Sequence, residues 1–271
     1  MKFKIKLSLV FFIVFSLFTF QESFSQCFQI ESILVDACGP TEGYNEMVRF
    51  KVGNSNINVS NLDVTWPSNS WQGLVQNGTT AAKVAALNAN ILAAGGCGKL
   101  LEPIGGVLPA NAKVILVTSY KLDIATNVFG AITQDTYIIF QDNASTSGGH
   151  FGNTTATGDK TLDMSFGSCS DSVTYNCQQL VNINGGLGGS SALNDGSTVN
   201  FTAFGTPSYV NNGCAAPVEV FTVDAGNSPI SACPGATISL TGTAVGQQSV
   251  VWSVTPNGGS FSAANSLSTN Y

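Results

Sequence analysis

Charge is scarce in this chain of 271 residues: a tenth of them are Asp, Glu, Lys or Arg, Arg49 is the sole arginine and His150 the sole histidine. Neutralising a nucleic-acid backbone needs clustered Lys and Arg, so no nucleic-acid partner is expected. Acids outnumber bases 16 to 10, and Lys2, Lys4 and Lys6 crowd the extreme N-terminus, which leaves the remainder more acidic still. Such a surface has little attraction for an anionic membrane. There is no C-x-x-C pair, and a single histidine is a poor start for a zinc site. No G-x-S-x-G occurs, and Gly185-Gly-Leu-Gly-Gly189 lacks phosphate-loop spacing and reads as a turn. His150, in Ser147-Gly-Gly-His-Phe-Gly152, therefore has no nucleophile motif to serve, and a loop histidine without catalytic role is expected. No enzyme activity is expected.

Long apolar runs are also missing, except from Leu7 to Phe20, behind the three lysines and ahead of Ser23 and Ser25. That is the pattern of a secretory signal peptide, residues 1–25, cleaved before Gln26. The run is shorter than the roughly 20 residues that span a bilayer, so no membrane span is expected after cleavage. A lipid-anchored form would need a small residue before Cys27, and Gln26 stands there. The mature chain is expected to be secreted or displayed at the cell surface.

Cysteine is what the chain does have. Seven in an exported protein read as disulfides, and six of them, Cys27, Cys38, Cys97, Cys169, Cys177 and Cys214, precede Pro217. A short bridge from Cys169 to Cys177 and a bridge from Cys27 to Cys214 across the domain ends are two candidate pairings; spacing alone leaves the map open. Cys233 stands apart.

Strand signals dominate. In Met47-Val-Arg-Phe-Lys-Val52, Val48, Phe50 and Val52 face one way and Met47, Arg49 and Lys51 the other, the period of a half-buried strand. Further strands are expected at Lys113 to Ser119, Tyr137 to Phe140, Thr161 to Phe166, Ser172 to Tyr175 and Val199 to Phe204, separated by Gly, Asn and Asp turns, which predicts an all-β sandwich. One helix interrupts it, Thr79 to Ala94, capped by Thr79 or Thr80, with Val84, Leu87 and Ile91 on one face and Gly95 and Gly96 at its end. Cys214-Ala-Ala-Pro217 marks a boundary, so the first domain covers residues 26–216 and a second covers 217–271. The second has expected strands at Val218 to Val223, Thr237 to Thr241 and Ser249 to Val254, with Cys233 preceding Trp252 as in an immunoglobulin-like core. It is short for such a sandwich, and a natural chain continuing past Tyr271 is expected.

Three blocks in order carry a family resemblance: Ile33-Leu-Val-Asp-Ala through Asn45-Glu-Met-Val-Arg-Phe50, Gly106-Val-Leu-Pro-Ala-Asn-Ala-Lys-Val-Ile-Leu-Val117, and Thr161-Leu-Asp-Met-Ser-Phe through Asp171-Ser-Val-Thr-Tyr175. Together they resemble a lamin-tail domain, an immunoglobulin-like β-sandwich. The order of domains resembles long secreted surface proteins of Bacteroidetes, in which such a domain precedes immunoglobulin-like or PKD-like repeats. The resemblance implies export and display on the cell surface. The helix, the extra cysteines and the Gly-rich stretch Asn184 to Ser191 depart from the family pattern.

Three acids in the opening loop, Asp36, Glu42 and Glu46, are candidate calcium ligands, being hard oxygen donors around a glycine, although their spacing matches no EF-hand. The plainer alternative makes Asp36 and Glu42 solvated loop acids and Glu46 a strand-end residue; no other cofactor is expected. Trp66 and Trp71 would stack on sugar rings if exposed, whereas tryptophans of a small sandwich usually lie in its core. These readings lead to a non-enzymatic surface protein acting in adhesion, spacing or protein contact. The alternative is a carbohydrate-binding or other accessory module of a larger secreted hydrolase. The partner is then a surface protein or a glycan.

Overall fold

The computed structural model describes residues 27–145, 148–151, 153, 158–188, 191–219, 222–226, 233, 236–245, 249–254 and 259–271. The expected signal peptide lies outside them. Strands predominate, in several sheets, with one long helix.

The main sheet contains β1 (Phe28–Leu34), β2 (Met47–Val52), β5 (Leu74–Val75), β6 (Leu100–Leu101), β8 (Lys113–Val117), β9 (Thr136–Gln141), β12 (Ser197–Phe201) and β13 (Pro207–Asn211). Its order is β13-β12-β1-β2-β8-β9-β5, with β6 also pairing β9. A smaller sheet, β11-β10-β4, is built from β4 (Leu62–Thr65), β10 (Asp159–Phe166) and β11 (Cys169–Asn176). The short β3 (Ile57–Asn58) and β7 (Val107–Leu108) pair with each other. Most pairings are antiparallel, but β8 runs parallel to β9, as a long connection between them permits.

Each face of the main sheet buries its own core. On one, Phe28, Ile30, Ile33, Val48, Phe50, Val114 and Leu116 pack against Leu62, Val64, Leu162, Met164, Phe166, Val173 and Tyr175 of the smaller sheet. Phe28, Phe50 and Phe166 meet there edge-on or tilted, with centroids 5.0 to 5.8 Å apart. On the other face Leu34, Met47, Ile115, Val117, Ile138 and Phe140 pack with Val84, Leu87 and Ile91 of α1 (Gly78–Ala93). This second core corrects the half-buried reading of β2. Met47 is fully buried and Arg49 pairs with Glu31 at 3.1 Å, leaving only Lys51 exposed on that face. A register shift in β1 between Ile30 and Ser32 explains its mixed pattern: Phe28 and Ile30 face the smaller sheet before it, and Ile33 faces it after.

The helix begins one residue earlier than its sequence signal and is capped by Asn77, not by Thr79 or Thr80. Asn77 Oδ1 accepts from the Thr79 and Thr80 amides at 2.8 and 3.3 Å, while Thr80 Oγ1 accepts from the Asn77 amide at 2.9 Å. Thr80 thus takes the reciprocal role usually filled by Glu or Gln.

Two disulfides tie the molecule, Cys27–Cys169 and Cys38–Cys214, closing sequence separations of 142 and 176 residues. Both candidate pairings are corrected. Cys169 and Cys177 stand at opposite ends of β11, roughly 26 Å of extended chain apart, beyond the reach of a bridge. Cys27 precedes β1 while Cys214 follows β13, and Ser197 pairs with Asn211 just as Leu34 pairs with Thr198, so Cys214 arrives at the far end of β1, beside Cys38. Cys97 is an exposed thiol. Cys177 is buried outside any disulfide and its thiol donates to the Gly158 carbonyl.

At the proposed boundary Ala216 is buried, and beyond it Val218 packs on the helix-side core, while the Pro217 carbonyl accepts from Arg49 and Glu219 pairs with Lys113. The first residues after Cys214 therefore belong to the main sheet's surroundings. Further on, β14 (Thr222–Asp224) pairs with β16 (Thr243–Val245), and β15 (Ser239–Thr241) with β17 (Ser268–Asn270). The expected strand at Val218 to Val223 is shorter and later where it is described. Residues 249–254 form no strand, although the Trp252 amide donates to Ala264 and its indole to Ser266. Cys233 is exposed and Trp252 packs beside Phe261.

Candidate functional site

Past Leu34 the chain leaves the sheet through Val35 and Asp36. The Gly196 amide donates to the Asp36 carbonyl at 2.7 Å, fixing this turn against the entry to β12. Gly196 has φ 89°, and a Cβ there would lie 2.5 Å from Gly213, so the approach requires glycine. That contact places Asp195 beside Asp36. Glu42 arrives from the 3-10 turn Glu42–Tyr44. One ligand oxygen from each of Asp36, Glu42 and Asp195 lies within 4.8 Å of the others.

The three differ in environment. Asp36 is fully buried, and among the described residues neither of its carboxylate oxygens has a hydrogen-bond partner. Glu42 and Asp195 are half-buried, and Glu42 Oε2 accepts from Asn153 Nδ2 at 3.3 Å. Burial, followed by the neighbouring charges of Glu42 and Asp195, pushes the Asp36 carboxyl up to about 9. Burial and Glu42 also raise that of Asp195.

Of the acids singled out in the sequence, Asp36 and Glu42 meet, whereas Glu46 turns elsewhere. Asp195 takes the third position. It lies more than 150 residues from Asp36, and its only local signal is the Asn194-Asp-Gly196 turn, which names no ligand.

Glu46 belongs to a buried polar chain. Its Oε2 accepts from the His150 amide at 2.6 Å and contacts His150 Nδ1 at 3.1 Å. Proton positions follow by elimination. Trp66 Nε1 can only donate, and does so to Gln141 Oε1 at 2.8 Å, so the Gln141 amino group faces away from Trp66. That group donates to the Thr118 carbonyl and to His150 Nε2, both at 3.0 Å. Nε2 is then an acceptor, and Nδ1 carries the proton given to Glu46. Burial raises the Glu46 carboxyl while its bonds from His150 pull it down, with burial the stronger. His150, expected in a loop, does lie outside any helix or strand, but its ring is buried, 1% exposed. A carboxylate does converge on the ring, but the other nitrogen meets an amide where a triad needs a hydroxyl.

Trp66 is buried at the end of this chain, edge-on to His150 and Phe151. Trp71 is half-buried and packs on the core. It also lines an open groove of about 520 Å³ with Asn58, Leu74, Gln76 and Glu102. The two tryptophans thus do not form a shared exposed platform. Among the described residues no helix is long and apolar enough to cross a membrane. In comparisons with protein-family models, curated proteins and solved structures, the chain matches none.

Proposed function

We propose that this chain is a secreted, non-enzymatic surface protein acting in adhesion, spacing or protein contact, with an immunoglobulin-like sandwich of the lamin-tail kind followed by an immunoglobulin-like or PKD-like unit. The observation that carries the reading is the inward orientation of the polar groups best suited to chemistry. His150, Gln141 and Trp66 are linked by hydrogen bonds to one another and to Glu46 Oε2 inside the fold, and His150 is 1% exposed. The two long-range disulfides suit a domain that works in an oxidising exterior.

The test is a deletion of the encoding gene with protease shaving of intact cells. The expected result is that shaving removes the chain from the wild-type surface and that the deletion strain attaches less well to surfaces or to other cells. Attachment unchanged, or hydrolysis of an ester or glycoside panel by purified protein, would overturn the reading.

A second reading rests on the groove beside Trp71. A half-buried indole next to Asn58, Gln76 and Glu102 offers an apolar face and polar hydrogen-bonding groups, the combination that holds a sugar ring. Retention of the wild-type protein on a polysaccharide gel, lost in Trp71→Ala, would favour an accessory carbohydrate-binding module.

A further inference from the structure

Asp36 presents an unresolved charge problem. A buried carboxyl ordinarily accepts several donors, yet among the described residues both oxygens of Asp36 lack one, and two more carboxyls lie within 4.8 Å. A single shared proton between Asp36 and Glu42 would satisfy one contact and leave Asp195 and the second Asp36 oxygen bare. One positive ion in the centre would satisfy all three acids together. We infer that Asp36, Glu42 and Asp195 form a site for one divalent cation, and that the ion is calcium.

The ligand chemistry selects it. All three donors are hard carboxylate oxygens, and no imidazole or thiol takes part, which disfavours zinc and copper. Two oxygens bound to one calcium at about 2.3 to 2.6 Å are separated by no more than about 5 Å, a limit that the mutual spacing of 4.8 Å meets. Magnesium binds at about 2.0 to 2.1 Å and retains several waters, which suits three converging acids less well. Half-exposure of Glu42 and Asp195 leaves an entry path and room for water to complete the shell.

The site joins three segments distant in sequence: the exit from β1, the turn before β2 and the entry to β12. Cys38 lies two residues beyond Asp36, and its bridge to Cys214 fastens the same corner. The cation is therefore a second clasp on this end of the sheet, independent of whether the domain serves in adhesion or glycan binding.

The test uses the full chain treated with chelator and then titrated with calcium chloride, read by calorimetry and thermal melting. The expected result is one calcium per chain and a melting temperature raised by about 5 to 10 °C at about a hundredfold excess over Kd. Glu42→Gln and Asp195→Asn, at half-buried positions that tolerate the change, should each weaken binding about tenfold or more. In chelator the same variants should melt no lower than wild type, because repulsion around Asp36 is relieved; a purely structural role for these side chains would lower it. Absence of heat and of any melting shift at millimolar calcium would overturn the inference. So would a calcium response that survives intact in both variants, and an equal response to magnesium would overturn the choice of ion.

Discussion

Glu46 and His150, 104 residues apart in sequence, are joined by two contacts to a single carboxylate oxygen, one from the backbone amide and one from the ring. This fastens the loop before β10 to the beginning of β2. Trp66, through Gln141, extends the same chain to the smaller sheet, so removing a donor at one end tests the whole arrangement. Trp66→Phe keeps most of the apolar contact but leaves Gln141 Oε1 buried without its donor. The expected cost is about 1 to 3 kcal/mol, read as a lower denaturation midpoint with an unchanged m-value.

Close approach of the histidine loop depends on glycine. A Cβ on Gly149 would sit 2.3 Å from Glu46 Oε1, and one on Gly43 would sit 2.4 Å from the Gly148 carbonyl. Gly149→Ala must push Glu46 off His150 or lift the loop. A loss of about 1 to 3 kcal/mol is expected, with an NMR shift of the His150 ring protons that a remote surface substitution such as Lys51→Ala would not give.

The period-two pattern of β2 was sufficient to place Val48, Phe50 and Val52 in a core, and the 3.6-residue stripe of α1 to place Val84, Leu87 and Ile91 in one. Neither pattern says that both cores share one sheet, which is why Met47 read as a wet-face residue. Likewise Asp36 and Glu42 fall in one loop and were legible together. Asp195 was not, because its position depends on β12 lying next to β1, a long-range pairing. The cysteine map failed for the same reason: β13 carries Cys214 to the end of β1 opposite Cys27, and nothing local records that. The helix cap was missed more narrowly, since Asn77 and Thr80 exchange bonds in a pattern usually recognised by a Glu or Gln.

The disulfide map makes a chemical prediction. Alkylation of the native protein should label Cys97 and Cys233 readily, and Cys177 only after denaturation, since it is buried. Peptide mapping without reduction should recover Cys27 linked to Cys169 and Cys38 linked to Cys214. Replacing both members of the Cys38–Cys214 pair by serine should cost about 2 to 5 kcal/mol, seen as a fall in melting temperature.

Asp195 can be displaced without touching a carboxylate. Because Gly196 combines φ 89° with a 2.5 Å approach to Gly213, Gly196→Ala strains the backbone and collides with Gly213 at once. The variant should be destabilised by about 1 to 3 kcal/mol or more, measured in urea, whereas alanine at Gly185, also left-handed but with open space around it, should lose only the backbone contribution, about 1 kcal/mol.

At high pH the weak point should be Tyr175. Its ring is buried between the sheets and its hydroxyl donates to the Phe151 carbonyl, and burial, aided by the nearby Glu46 charge, raises its pKa well above the usual 10. The folded state therefore holds this proton where the unfolded chain has released it. Stability is unaffected below the ordinary tyrosine range and falls as pH rises through and beyond it, by about 1.4 kcal/mol per pH unit once the unfolded phenol is ionised. An alkaline titration followed by phenolate absorbance should show Tyr175 ionising only together with unfolding. Tyr175→Phe should give up the hydrogen bond, costing about 0.5 to 1.5 kcal/mol at neutral pH, and lessen the alkaline loss of stability. Ionisation of the Tyr175 phenol in the native protein, uncoupled from unfolding, would show that it is not held as described.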